Sequence, residues 1–265
     1  MKRVDTPHGR YYQTATGKLP SVTTLLGLLA KPALIPWAAG VEQDAWRRAC
    51  EVVIGGSLSG QTVTANALVE RIEAEVGQSK AYLKTLKEAQ DIGTAVHERI
   101  DWELRGEIGK LRPKDAPILG HPKALEAFDN WLDWRMSVEM KVIETELKVS
   151  APKAGFAGTL DTLCVLQKPT PGQYVIDYKT GAAVYYEALA QNGMYQVALG
   201  EMGHETAGGF IVRLPKTPDD PTFDAVLVPP LADMRDGITA LVEVYGLINA
   251  LKATLPAWKP KKKTS

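Results

Sequence analysis

Three side chains in two short segments carry the most chemistry. Gly158-Thr159-Leu160-Asp161 supplies one carboxylate. Val175-Ile176-Asp177-Tyr178-Lys179-Thr180-Gly181 supplies a second, two residues before a lysine. In a β-strand, residues two apart share a face, so Asp177 and Lys179 project together, and Asp161 reaches that face if the two strands pair. Two carboxylates and an ammonium at the end of an apolar strand are costly to bury without a partner. A hard divalent cation such as Mg²⁺ would be that partner, because it takes oxygen ligands and keeps waters for a phosphate. The chemistry suits phosphodiester hydrolysis: the metal polarises a phosphoryl oxygen and acidifies a bound water, with room for a second ion about 3.5–4 Å away. Lys179 would orient the water or stabilise developing charge, and the backbone carbonyl of Tyr178 would add a ligand. On spacing alone, a strand-end ion pair is the simpler account of Asp177 and Lys179.

The elements that must position these residues follow from the periodicity. Before residue 140 the apolar spacing reads as helices: Ile35 to Ile54, Ala65 to Val76 with Thr64 as cap, Lys80 to Arg105, and Lys123 to Met136. Val22 to Ala30 reads as a short buried helix. Gly55, Gly56 and Gly60 mark a loop, as does the proline-bearing stretch from Arg112 to Pro122. After residue 140 the period shortens. Lys141 to Ser150, Phe156 to Leu166 and Gln173 to Lys179 read as a meander of strands. A helix follows from Tyr185 to Met202, then strands at Gly208 to Leu214 and Phe223 to Val228, then a helix from Leu231 to Ala253. The order β-β-β-α-β-β-α implies a mixed sheet flanked by helices, an α/β core. Residues 1–140 form an N-terminal helical region on this reading, 141–258 the core, and 259–265 a basic tail. Phe128, Trp131 and Trp134, and likewise Trp37 and Trp46, read as core residues.

Composition bounds the function. A hydrophobic fraction of 45% and a charged fraction of 23% suit a globular protein of this length. No apolar run approaches the ~20 residues of a membrane span, and the early apolar stretch lacks the cleavage site of a secretory signal, so the expected location is the cytoplasm. Two cysteines, Cys50 and Cys164, cannot hold an iron–sulfur cluster alone. The formal net charge is zero. Without Lys259, Lys261, Lys262 and Lys263 there remain 27 basic against 31 acidic residues, so residues 1–258 carry about −4. Attraction for phosphate must therefore come from a local patch, a metal or the tail.

The order of further motifs resembles the RecB-like branch of the PD-(D/E)XK nuclease superfamily, with its phage exonucleases and recombination-helicase nuclease domains. Gly93-Thr94-Ala95-Val96-His97 is similar to the family's helical G-T-x-x-H element. Glu146 precedes Gly158 to Asp161 at the family's interval; Ile176 to Gly181 follows, and Gln191-Asn192-Gly193-Met194-Tyr195 is similar to its Q-x-x-x-Y helix. Leu19-Pro20-Ser21-Val22-Thr23-Thr24 also looks like the start of phage members. The resemblance spans residues 19 to 230. It implies a restriction-endonuclease-like sheet, with His97, Asp161, Asp177 and Tyr178 as ligands to Mg²⁺ or Mn²⁺. It makes Lys179 the catalytic lysine beside Asp161, Asp177 and Glu146, and puts Gln191 and Tyr195 against DNA. It also implies a stand-alone exonuclease in DNA recombination or repair, with a single-strand annealing or recombinase protein and self-assembly as candidate partnerships. An inactive binding module and a structure-specific endonuclease are the alternatives on the same fold.

Two features depart from the pattern of that family. The cysteines of the CRISPR-associated exonucleases are missing, and no G-x-x-x-x-G-K-[ST] phosphate loop signals a helicase motor. Glu144 shares a strand face with Glu146, and a solvated edge strand accounts for both as well as a metal does. Ser21, Thr23 and Thr24 suit a phosphate at a helix start or plain helix capping. Arg47, Arg48, Arg99 and Arg105 are candidates for DNA-backbone contacts or for a charged helix surface.

Overall fold

A computed structural model describes residues 1–7, 9–15, 17–29, 31, 34–57, 64–76, 80–220, 223–229 and 231–255. Gly60 of the expected loop and the basic tail lie outside them. The chain divides into two compact units, Met1–Leu29 with His97–Ser265, and Ala30–Val96.

The smaller unit holds α2 (Leu34–Ser57), α3 (Ala65–Val76) and the first part of α4 (Ala81–Glu107). The Thr64 hydroxyl caps α3 by accepting from Ala67 N at 3.3 Å, as its position predicts. Two expectations fail here. The α2 helix runs on through Gly55 and Gly56, because glycine weakens a helix by only about 1 kcal/mol and does not by itself end one. Trp37 and Trp46 are 38% and 42% exposed rather than core; a helix pair buries one stripe of each helix and leaves the other to solvent.

In the larger unit the N-terminus forms a three-stranded antiparallel sheet, β1 (Lys2–Thr6), β2 (Gly9–Thr14) and β3 (Gly17–Pro20). Strands in this stretch depart from the all-helical expectation before residue 140. The turns need Gly9 and Gly17, at φ +127° and +129°, a region open to glycine. The Thr6 and Thr14 hydroxyls donate across these turns to the glycine carbonyls at 2.7 and 2.8 Å. A short helix, α1 (Val22–Leu26), follows with Ser21 as its N-cap.

The central sheet is mixed, as the element order implies. It comprises β4 (Met140–Ala151), β5 (Phe156–Leu166), β6 (Gly172–Lys179), β7 (Gly208–Arg213) and β8 (Asp224–Leu227), in that spatial order. All neighbours are antiparallel except β6 and β7, which are joined through α6 (Tyr186–Glu201) as a parallel crossover requires. One face packs Val149, Phe156, Leu163 and Val175 against Met194, Tyr195 and Leu199 of α6, Leu25 of α1 and Ile238 of α7 (Leu231–Thr254). On the other face Trp134 of α5 (Pro122–Ser137) meets the Tyr178 ring edge-on at 5.8 Å. Phe128, Trp131 and Trp134 are buried. Asn192 is wholly buried and locks α6 to the sheet. Its amide donates to Val175 O at 3.0 Å and to Phe210 O at 3.4 Å, in space where a Cβ on Gly209 would lie 2.0 Å from Asn192 Oδ1. No described helix is long and apolar enough to cross a membrane.

Candidate metal centre

The site forms where two paired strands part. The β5–β6 ladder ends at Thr162 opposite Ile176, and Asp161 substitutes for the next rung. Its Oδ2 accepts the Tyr178 N–H at 2.9 Å. The Tyr178 peptide is thus tied to Asp161, while its ring turns to the opposite face of the sheet. Asp177 is fully buried, with Lys179 Nζ 2.5 Å from its Oδ2. Beyond that ion pair neither Asp177 oxygen finds a hydrogen-bond partner among the described residues. From α6, Gln191 Oε1 accepts from Lys179 Nζ at 3.3 Å, and Gln191 Nε2 donates to the Tyr195 hydroxyl at 2.9 Å, using the i, i+4 spacing on one helical face. Gly158 leaves room for that tyrosine, since a Cβ there would lie 2.6 Å from Tyr195 Cε1.

Two further ligand candidates arrive from elsewhere. On α4, His97 places Nδ1 3.4 Å from Asp161 Oδ2, with its ring edge-on to Tyr178 at 6.3 Å. On β4, an extra residue between Val142 and Glu144 shifts the register, and Glu146 adopts φ +48°. A left-handed backbone costs a side-chain-bearing residue about 1–2 kcal/mol, and such strain gathers at functional sites. Its result is that ligand atoms of His97, Glu146 and Asp161 lie within 4.8 Å of one another. Glu144 turns elsewhere and pairs with Lys110, which separates the two glutamates that alternation alone puts on one face.

Ser21 and Thr23 belong to a different setting. The Ser21 side chain is buried and accepts from Thr24 N at 3.0 Å, so it caps α1. Arg99 and Arg105 form ion pairs along α4 with Glu103 and Asp101, and Arg47 lies 3.8 Å from Asp44. Two neighbours of the cluster were not anticipated. Asp101 stands one helical turn beyond His97, with its Oδ1 2.9 Å from the Thr145 hydroxyl; its i, i+4 spacing from His97 was the available signal. Tyr12 of β2 brings its hydroxyl 2.8 Å from Thr159 Oγ1, and nothing local in the sequence marks that contact.

The electrostatics are those of a site short of positive charge. Burial pushes the Glu146 carboxyl up to about 7, helped by the negative charge of Asp161. Burial likewise lifts Asp177 to about 6, against the pull of Lys179. Burial disfavours the His97 imidazolium, but the Asp161 carboxylate outweighs it and the pKa is raised. Asp161 is buried as well, yet the charge of His97 and its hydrogen bond hold it below the usual carboxylate range. A nitrogen donor and three carboxylates, two of them resisting ionisation, suit a divalent cation such as Mg²⁺ or Mn²⁺.

This arrangement predicts how stability depends on pH without metal. An acid whose folded pKa lies above its unfolded one binds its proton more tightly when folded, so Glu146 and Asp177 cost stability as they ionise. His97, with a raised pKa, stabilises the fold when charged and loses that contribution as it deprotonates. Asp161 contributes fully above its ordinary pKa. In a chelator, the melting temperature should therefore fall from pH 5 to pH 8, and Glu146→Gln should flatten the slope. A melting temperature that rises over that range contradicts the account.

No curated protein sequence matches the chain. Among solved structures, the crystal structure of SSO0001 matches with 15% identity and a TM-score of 0.35, over 78% of this chain and 86% of that one. The family model of the PD-(D/E)XK nuclease superfamily matches residues 67–260, a span that holds His97, Glu146, Asp161, Asp177, Lys179, Gln191 and Tyr195. With that match over well more than half of its length, the chain belongs to the PD-(D/E)XK nuclease superfamily.

Proposed function

We propose that the chain is a metal-dependent DNA exonuclease of the RecB-like, phage type, which processes DNA ends during recombination or repair in the cytoplasm. The observation that supports this most is the approach of His97, Glu146 and Asp161 to within 4.8 Å, beside a buried Asp177 that pairs with Lys179. His97, Asp161, Asp177 and the Tyr178 carbonyl would hold Mg²⁺ or Mn²⁺, with Glu146 as a direct or water-mediated ligand. When bound, such a cation polarises a phosphoryl oxygen and acidifies a water.

The chain's own residues do the rest. Lys179 commits two of its three N–H bonds to Asp177 Oδ2 and Gln191 Oε1, so the third is aimed. It donates to the attacking water or to the phosphoryl oxygen that gains charge, as a preorganised cation. Asp177 keeps Lys179 charged, and the lysine pKa is raised despite burial. Tyr195 is buried in the core rather than open to DNA, and it fixes the Gln191 amide, so Gln191 alone of the two faces the DNA backbone. A single-strand annealing protein as partner and assembly around DNA both fit an end-processing enzyme.

The test uses end-labelled linear DNA and covalently closed circles, each with Mg²⁺ or Mn²⁺. Degradation of linear DNA with intact circles is the expected result. Cutting of the closed circle replaces exonuclease with endonuclease, and binding without cleavage under either metal replaces it with a non-catalytic module.

A further inference from the structure

Strand β2 sends two adjacent tyrosines to opposite sides. Tyr12 is buried and bonds Thr159, two residues before Asp161 on β5. Tyr11 points the other way, into an open groove of about 630 Å³ between the N-terminal sheet, α1 and the last turns of α7. Its hydroxyl lies 3.1 Å from that of Tyr245, which descends from α7. Lys18 Nζ sits 3.8 Å from the centre of the Tyr11 ring. Arg10, Asn249 and Lys252 also line the groove.

The charge here differs from that of the chain. Asp5 is the one carboxylate among the lining residues, and it is shared between Arg10 Nε at 2.8 Å and Arg3 Nε at 2.9 Å. Arg10 and Lys252 line the groove beside that one lining acid, Arg3 shares the acid from outside the lining, and Lys18 adds its charge over the Tyr11 ring. Residues 1–258 as a whole carry about −4. A concentrated positive patch on an acidic body attracts polyanions locally. Cations that track a phosphate backbone, set beside aromatic rings on which bases stack, form the usual platform for an unpaired strand.

We infer that this groove binds a single strand of nucleic acid, the phosphates meeting Arg10, Lys18 and Lys252 and the bases meeting Tyr11 and Tyr245. The inference rests on the DNA-nuclease reading and extends it. Through the Tyr12–Thr159 bond the strand that builds the groove is also fastened next to the metal centre, so substrate held in the groove is held relative to Asp161.

The experiment is fluorescence anisotropy of a labelled oligothymidylate in EDTA, where nothing is cleaved, across a range of sodium chloride. The double variant Lys18→Glu/Lys252→Glu should bind at least tenfold more weakly. Its slope of log K against log salt should be shallower by about 1.4, the loss of two single-strand phosphate contacts. Lys168→Glu, on the remote β5–β6 turn, should leave both unchanged, and Tyr245→Leu should weaken binding without changing the slope. Unaltered affinity and slope in the double variant overturn the groove. Equal losses on a blunt duplex overturn the single-strand assignment. A wild-type chain that cleaves linear DNA but ignores the reversals loses the groove alone; one that neither binds nor cleaves DNA loses the nuclease reading too.

Discussion

Replacing Lys179 with methionine should abolish cleavage while the protein stays folded. The methionine stem occupies much of the lysine's path but donates no hydrogen bond, so the water or phosphoryl oxygen loses its aimed cation. Removing one preorganised donor from a hydrolytic site costs about 10²–10³ in rate, and here the same group also balances Asp177. The variant should bind Mn²⁺ and DNA close to wild-type levels, which places its loss on the chemical step. A second signature follows from the ion pair. Without the ammonium, Asp177 is a buried acid with no partner, so its folded pKa climbs further above its unfolded one. The variant should therefore melt further below wild type at pH 8 than at pH 5 when metal is withheld. A Lys179→Met protein that cleaves DNA at a substantial fraction of the wild-type rate contradicts the assignment.

The second large effect is expected at Asp161. This carboxylate meets the Tyr178 N–H, His97 and, through its neighbours, Lys179 and Asp177. Truncation to alanine would orphan the Tyr178 amide and confuse loss of function with local unravelling, since a buried unsatisfied donor costs about 1–3 kcal/mol. Asp161→Asn keeps an oxygen for that amide and removes only the charge. We expect it to fold with an intact sheet, to lose cleavage by about 10³-fold or more, and to lose the support that the Asp161 carboxylate gives the His97 imidazolium: the imidazole pKa should drop from its raised position. A divalent ion should bind it far more weakly, because one anionic ligand of the set is gone. Retained Mn²⁺ affinity with full cleavage would remove Asp161 from the centre.

Much of the core was legible because local signals agreed with the final environment. The meander of β4, β5 and β6 shows as short alternating runs separated by turn residues, and α6 begins and ends within a residue of its expected span. Asp177 and Lys179 do share a face, as a two-residue repeat requires. What the period cannot convey is where the regular ladder stops. Asp161 reaches its place because β5 and β6 separate after Thr162 and Ile176, and Glu146 because a bulge and a left-handed residue re-aim one glutamate away from the other. Both are departures from regular geometry, set by tertiary contacts rather than by residue type. The N-terminal sheet escaped for a related reason. Its strands are four to six residues long, too short for a period to stand out. Trp37 and Trp46 mark the limit of inferring burial from hydrophobicity, since an indole on a two-helix surface is as apolar as one in a core. The link from Tyr12 to Thr159 spans 147 residues, and no local pattern encodes it.

The central claim is that Asp161 and Asp177 hold a divalent cation beside Lys179. Anomalous scattering from crystals soaked in Mn²⁺ tests it most directly, on the wild type and on Asp161→Asn. The expected map has a peak about 2.0–2.3 Å from carboxylate oxygens of Asp161 and Asp177, with His97 and Glu146 alongside, and that peak vanishes in the variant. A wild-type protein that degrades DNA while its manganese sits away from both aspartates would contradict the account.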